Sequence, residues 1–518
     1  MDYTWTGTSN NTWGTGANWG GTAPAISASS AVFFGTATNR LPNVAANSTI
    51  GSITFNSGAD AFTISRTGGT LTLSGGGVTN NSSNLQLITA PVALSGATTW
   101  NTASADLTAS GALSGSGASL TKTGSGTLTL SGTNTGTTTI SAGTLQLGSG
   151  GTTGALSSGA VTDNSILSFN RSNALTVSNA ISGTGTVKQI GTGVTTLTGA
   201  NTYSGGTLIS SGTLQVGTNG SLGTGGVTNN SVLGYSGTGT VTEANIISGT
   251  GSLSQSGTGT TILTATNTYS GGTTISGGAL QFTSVGNLGT GRVTLNGGAL
   301  RWAPGNTLDV SSIISLGTGG SLDTNGNDIT LSSALGGSGP LAKSGTGILT
   351  LNAAPASATS VTVNGGTLRP GAAGILPSGV AYAVNANVAG GSATLDLNGY
   401  DLTISTLNFG GTGAKASVVN TVSTGAGTLT LGGNVTYTNT TNPGGAVITG
   451  KLNLGSVAPS FVIGDSTKTD SEVTISADIS GTVGLTKSGV GALVLSGTNH
   501  RPRRGRPHGD GQQRLRRH

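Results

Sequence analysis

The sequence predicts an all-β chain and, within that class, a parallel β-helix, a solenoid of stacked rungs. Three observations lead there. Apolar residues fall in short blocks that alternate with Thr or Ser, separated by Gly and Asn, which is the period-two pattern of strands between turns. One long sentence recurs, ISGTGSLSQSGTGTTILTATNTYSGGTTISGGALQF at 247–282 echoing ISGTGTVKQIGTGVTTLTGANTYSGGTLISSGTLQV at 181–216. Each strand offers only two or three inward apolar residues. A lone rung cannot offset its ordering entropy with so little burial, whereas stacked rungs share one continuous core.

Composition supports order. Gly supplies 94 of 518 residues and only 7% of residues are charged. Disordered chains usually carry more charge and fewer β-branched residues. The net charge of +5 is concentrated at one end: seven of the 20 Lys and Arg, and all three His, lie in residues 500–518. The body before His500 has 13 basic and 14 acidic residues, so it has no nucleic-acid footprint. There is no cysteine, which suits a chain exported unfolded. No apolar run reaches the ~18 residues of a membrane helix. The opening MDYTWTGTSNNTWGTGANWG has no basic segment followed by an apolar one, so it does not read as a signal peptide.

Residues 1–70 are expected to form an N-terminal cap with the first coils. Trp5, Trp13 and Trp19 are followed by Phe33, Phe34, Phe55 and Phe62. A solenoid exposes the core of its end rung, and large aromatics cover much area per residue. A sugar-stacking platform is the functional alternative. From Gly69 the regular rhythm begins. The pairs Leu71/Leu73, Leu85/Leu87 and Val92/Leu94 each point one way on a strand.

Residues 71–499 then form the β-helix. Repeat copies are read at about 113–148, 181–217, 247–283, 335–371 and 479–499. Their anchor glycines are Gly124, Gly191, Gly257, Gly345 and Gly489, spaced 67, 66, 88 and 144 residues apart. With a rung of ~22 residues these become three, three and four coils, and the last needs an enlarged loop. Some twenty rungs at ~4.8 Å each would give a rod on the order of 100 Å. In the third copy Ile262, Ile275, Leu280 and Phe282 are expected inside and Thr outside. From about residue 284 the pattern loosens, and loops near Pro355, Pro370, Pro377 and Pro443 are expected to leave the coil. Tandem β-sandwiches need denser inward apolar positions, and propeller blades do not match the spacing.

Two Asp-x-Asn-Gly-x-Asp stretches, Asp323–Asp328 and Asp396–Asp401, suggest either a calcium site or an Asn-Gly turn. The turn is preferred, because no Glu follows at a suitable distance. Asp465, Asp470 and Glu472, with Lys468 among them, read as a solvated loop. The body holds two Glu and no His, with no nucleophile elbow or phosphate loop. A repeated Lys/Gln position, Lys122, Gln189, Gln255, Lys343 and Lys487, is read as a corner facing water. No catalytic, cofactor-binding or metal-binding residue is assigned, and no cofactor is expected.

The runs TKTGSGTLTLSGTNT (121–135), NTYSGGTTISGGALQ (267–281) and SAGTLQLG (141–148) resemble the autotransporter-associated β-strand repeat, and YTWTGTSNNTWGTGANW resembles the start of such passengers. The resemblance implies a right-handed parallel β-helix with an aromatic-rich N-terminal cap, carried to the bacterial cell surface by type V secretion. It carries over no catalytic residues. Copy one lacks the Tyr-Ser-Gly insert, which should shorten one corner without breaking the coil. No series of strands typical of a translocator barrel is read after residue 450, although the family implies one in the intact protein. The basic non-repeat tail, 500–518, interrupts the fifth copy and reads as a frameshift. The expected function is an extracellular, non-enzymatic display rod, with adhesion to surface glycans or to host or neighbouring cell surfaces as its candidate role. It is not expected to bind nucleic acid or to insert in a membrane. A carbohydrate-active β-helix enzyme is the alternative class.

Overall fold

A computed structural model describes residues 2–24, 30–115, 117–134, 136–156, 159–355, 357–386, 391–411, 418–438, 444–466, 471–498 and 513–515. The chain divides into two compact units. One comprises Met1–Ser254 and Asn267–Gly271, the other Gln255–Thr266 and Gly272–His518. Both are parallel β-solenoids. Among the described residues the helical elements are three short 3₁₀ turns, Gly16–Trp19, Val285–Leu288 and Ser311–Ile313.

In the first unit, three stacks of short strands surround the core. The first runs through Thr98–Thr102, Ser119–Thr123, Thr137–Ile140, Val161–Asp163 and Ile181–Ser182. The second runs from Gln86–Ile88 through Thr127–Leu130, Thr144–Leu147, Ile166–Phe169 and Thr186–Gln189 to Ile247–Ser248. The third includes Val92–Leu94, Leu113–Ser114 and Thr133–Asn134. Registers place like on like: Leu128, Leu145, Leu167 and Val187 form one buried ladder. Burying such a side chain is worth roughly 1.5–3 kcal/mol. Every rung therefore draws its stability from the one before and the one after.

The aromatic residues close the first rungs. Trp5, Trp13, Trp19, Phe34, Phe55 and Phe62 are all buried and touch ring to ring, with Trp5 and Trp19 centroids 4.9 Å apart. Trp5 Nε1 donates to the Asn39 carbonyl and Trp19 Nε1 to that of Trp13. Rings packed this way contribute area to the core and present no open face for a sugar.

Rung length corrects the expected coil count. Val187 pairs with Thr207, and Thr207 with Val227, so a rung here takes 20 residues. Three such rungs fall short of the 67-residue spacing between Gly124 and Gly191. The difference is one face. Gln189 stacks on Phe169, Leu147 and Leu130, three turns down, and Leu130 lies on the stack after that of Lys122. From copy one to copy two the chain therefore advances three turns and one side of the coil. In the second unit Ile275, Leu295, Leu316 and Gly337 stack in turn above Gln255, and Lys343 lies on the next stack, so the 88-residue spacing is four turns plus one face. The 144-residue spacing is six turns, through Lys343, Val363, Val384, Phe409, Tyr437 and Ile463. No single enlarged loop is responsible. The rungs widen from 20 residues (Leu341 to Val361) to 28 (Leu407 to Val435).

Four other expectations need correction. Leu85 is 55% exposed, and the inward residues of Gln86–Ile88 are Gln86 and Ile88, because that strand begins one residue later than its leucines suggested. Ile262 is only half-buried; Thr261 and Leu263 point inward, and Thr261 is held by a hydrogen bond to Gln255 Oε1 at 2.7 Å. The rule of Thr outward therefore fails at this strand. Pro370 ends the strand Gly366–Pro370 and is buried, not in a loop. The shortened corner of copy one is present: Thr127 to Thr144 spans 17 residues where Val194 to Thr213 spans 19. Asn134 Nδ2 there bonds Thr138 Oγ1, as Tyr203 Oη does Thr207 Oγ1 in copy two. Pro443 and most of the basic tail lie outside the described residues; Gln513–Leu515 pairs antiparallel with Leu493–Leu495.

Candidate functional site

The repeated Lys/Gln position faces the core in four copies, contrary to the solvent-facing reading. Lys122 and Lys343 have no exposed surface, and Gln189 and Gln255 are 1% exposed. Lys122 Nζ donates to the carbonyl oxygens of Thr123 (2.8 Å), Gly124 (2.8 Å) and Ala142 (3.0 Å). Lys343 Nζ donates to those of Ser344 (2.8 Å), Gly345 (2.7 Å) and Gly365 (3.0 Å). Gln189 Nε2 reaches Gly191 (2.7 Å) and Gly193 (3.3 Å), and Gln255 Nε2 reaches Gly257 (3.0 Å) and Gly259 (3.4 Å). Each side chain supplies protons to turn carbonyls; those of Gly193, Gly259 and Ser344 also accept a backbone N–H, from Thr213, Ala279 and Thr324.

Burial pushes the Lys122 amine down to about 8 and the Lys343 amine down to about 7, with Asp323 and Asp328 pulling the latter back up. Three carbonyl acceptors oppose that shift, since only the ammonium form has three protons to give. Lys487 differs. It pairs with Phe461, two residues short of the Lys343 column, and its exposed amine reaches only the Gly489 carbonyl, at 2.6 Å.

The glycine before each closing strand completes the corner. At Gly366, φ is +63°, and an added Cβ would fall on the carbonyl oxygens of Gly345 and Gly347 and on Lys343 Nζ. Gly143 stands in the same relation to Lys122. The Lys/Gln turn and the later Gly-Thr-Leu of a copy are therefore two halves of one joint.

The carboxylates also hold corners. Asp323 Oδ2 meets Arg301 Nε at 2.7 Å while its Oδ1 accepts from Asn325 N. Asp396 repeats this with Arg369 at 2.7 Å and Asn398 N. Asn325 and Asn398 adopt φ of +50° and +53°, as the Asn-Gly turn requires. Asp328 and Asp401 each accept a backbone N–H, from Ile348 and Thr428. Among the described residues no three His, Asp or Glu side chains gather as metal ligands. Glu472 is not solvated as expected: it is 1% exposed, and its carboxylate accepts from Ser466 N and Ala492 N. Asp465 is exposed, while Lys468 and Asp470 lie outside the described residues. A shallow dimple lined by Pro370, Ile375, Leu397 and Tyr400 holds about 10 Å³, the room of a single water.

The passenger-associated-transport-repeat family matches residues 120–147, 187–216, 253–282, 341–369, 422–442 and 485–500. The chain carries autotransporter passenger repeats. Five of the six matched passenger repeats start on an inward apolar position two residues before the corner side chain, Leu120, Val187, Leu253, Leu341 and Val422; the sixth starts at the half-buried Leu485. In sequence the copy at 422–442 shows only loosened alternation. Its corner residue is Thr424, fully buried, whose Oγ1 accepts from Lys451 N at 2.8 Å. A hydroxyl there lacks the reach of Lys, so the Lys-centred signature is missing from the sequence. No curated protein and no solved structure matches the chain.

Sequence reasoning missed the inward Lys and Gln, but the signal was present. Leu120 and Lys122, Val187 and Gln189, and Leu341 and Lys343 are each two apart on a strand, which places both on one face. The usual rule that charged residues are exposed outweighed the alternation.

Proposed function

We propose that this chain is a non-enzymatic scaffold at the bacterial surface that displays loops from one corner of its second unit and adheres through them. The carrying observation is where the rungs widen. The corner between Leu341–Ser344 and Ile348–Leu351 takes three residues, and the corner after Ser360–Val363 takes two. On the next four rungs the strands that flank this corner, Ala381–Ala386 and Ala393–Asp396, Thr406–Gly411 and Asn420–Leu431, Val435–Tyr437 and Ala446–Asn453, and Ser460–Ile463 and Val473–Ile475, are separated by six, eight, eight and nine residues in sequence. After Thr486–Ser488 it contracts to 489–492. Four successive insertions at one corner leave the strands in register, so the coil tolerates them at little cost, and loops carry binding function more often than scaffolds do. Their composition is small and mostly uncharged, which favours hydrogen-bonding surfaces such as glycans over highly charged partners. The passenger repeats favour a location outside the cell, and the carboxylates described above are committed to arginines or backbone.

The test shortens 388–391, 413–417, 439–443 and 466–470, singly and together, leaving the buried Glu472 in place. Binding of the purified chain to a glycan panel and to bacterial and host cells is measured beside its β-sheet circular dichroism. Binding lost with the signal intact supports the proposal. Binding by the fully shortened chain at the original level places adhesion elsewhere. Reproducible release of reducing or unsaturated ends from a polysaccharide, abolished by changing an acidic pair, replaces the scaffold with an enzyme.

A further inference from the structure

Asp163 closes a strand on the inner face of the first unit, with no exposed surface. Its Oδ1 accepts from Ser165 N at 3.0 Å, and its Oδ2 has no hydrogen-bond partner. A second rung of the same unit shows what this place is shaped for. VTDNS at 161–165 recurs as VTNNS at 227–231. The two settings share their backbone bonds. Gly185 N donates to the Asp163 carbonyl and Gly251 N to that of Asn229, while Thr186 N donates to Ser165 and Ser252 N to Ser231. Asn229 Oδ1 accepts from Ser231 N at 3.2 Å, and its Nδ2 donates to the Ser252 carbonyl at 2.8 Å. The equivalent acceptor for Asp163 is the Thr186 carbonyl. A carboxylate has no proton to offer it; a carboxylic acid does.

We infer that Asp163 is an acid-stabilised latch: with a proton on Oδ2 it closes its rung as Asn229 closes the other, and on ionisation it loosens that rung locally. No cation compensates the ionised form. Lys122 stands two rungs away in the same column and is committed to three carbonyls. Lys188, on the strand Thr186–Gln189, alternates to the outer side, and Arg171 bonds the carbonyls of Thr152 and Gly154 and the side chain of Asn173. The ionisable groups that face Asp163 across the core are acidic. Tyr203 bonds Thr207, and beyond it Tyr235 donates to Glu243 at 2.8 Å. Burial pushes the Asp163 carboxyl up to about 6, against the backbone N–H groups of Ser165 and Leu167 that pull it down, and raises Glu243 as well.

The sign follows. The folded rung favours the protonated acid, so its stability is complete below the unfolded value of 3.8 and is lost as pH rises through about 6. Between pH 5 and pH 8 the local opening constant should rise about ten-fold. Native-state hydrogen exchange of the full chain reads this, after correction for intrinsic rates, in peptides covering 161–167 and 183–187. Peptides around Asn229, 227–233, serve as the internal reference, read in chains that also carry Glu243→Gln, because Glu243 is a second raised carboxyl on that rung. The expected result is a ten-fold rise at the first rung, a flat reference, and loss of the rise on adding Asp163→Asn. Asn229→Asp should transfer the response to the second rung. Equal pH responses at both rungs in the Glu243→Gln chain, or an unchanged response on adding Asp163→Asn, overturns the inference.

Discussion

Replacing Lys343 with Met tests whether the buried amine holds the repeat's corner. Met keeps most of the apolar stem and removes Nζ, which donates to the carbonyls of Ser344, Gly345 and Gly365. Ser344 keeps another donor, since Thr324 N reaches its carbonyl at 3.1 Å. The Gly345 and Gly365 carbonyls then lose the proton they share with Nζ, at about 1–3 kcal/mol each. Relief of the buried charge offsets part of this. A net loss of about 2–4 kcal/mol is expected, equivalent to a 30- to 1000-fold rise in local opening. Lys343→Gln should recover all but about 1 kcal/mol, because Gln189 and Gln255 serve the same corner with two bonds each. Hydrogen exchange in peptides spanning 341–351 and 360–370 measures both variants. Global melting is a poorer readout, because a two-unit chain need not unfold in one step. Exchange in the Met variant equal to wild type would refute the reasoning. So would a Gln variant as damaged as the Met variant.

Two further outcomes follow from the same joints. Gly366→Ala places a Cβ on two carbonyls at a positive φ and should cost more than about 1 kcal/mol, seen as lowered thermal stability, whereas Gly374→Ala, also at positive φ but with open space around it, should cost about 1 kcal/mol at most. Millimolar calcium or a chelator should leave melting unchanged, because Asp323 and Asp396 are already paired with Arg301 and Arg369; a shift of several degrees on adding calcium would show that the Asp-x-Asn-Gly-x-Asp turns bind it.

The alternation of apolar residues and the recurrence of one sentence were enough to specify an all-β solenoid. Both are local properties: strand period sets which side chains share a face, and a repeat that cannot bury its own surface must stack. The aromatic residues at Trp5, Trp13 and Trp19 were legible as core for the same reason, since few other side chains cover an end rung so efficiently. The passenger repeat itself was legible because its glycines and its Leu-Ser-Gly-Thr-Asn run recur in order.

Register and phase were decided only in three dimensions. Whether a 67-residue spacing is three turns, or three turns and a face, depends on which carbonyl each strand meets on its neighbour, and residues 20 apart in sequence settle that. The same holds for Ile262, half-buried while Thr261 turns inward to Gln255, and for Thr424, which fills the lysine's place with a hydroxyl that accepts from Lys451 N. The Lys/Gln position shows the division most plainly. Alternation alone directs Lys122 and Lys343 inward, but a buried ammonium is tolerable only where carbonyls converge on it. Two of those carbonyls belong to the next two residues; the third, of Ala142 or Gly365, comes from the next rung, 20 or 22 residues on, and meets the amine only once the coil is closed.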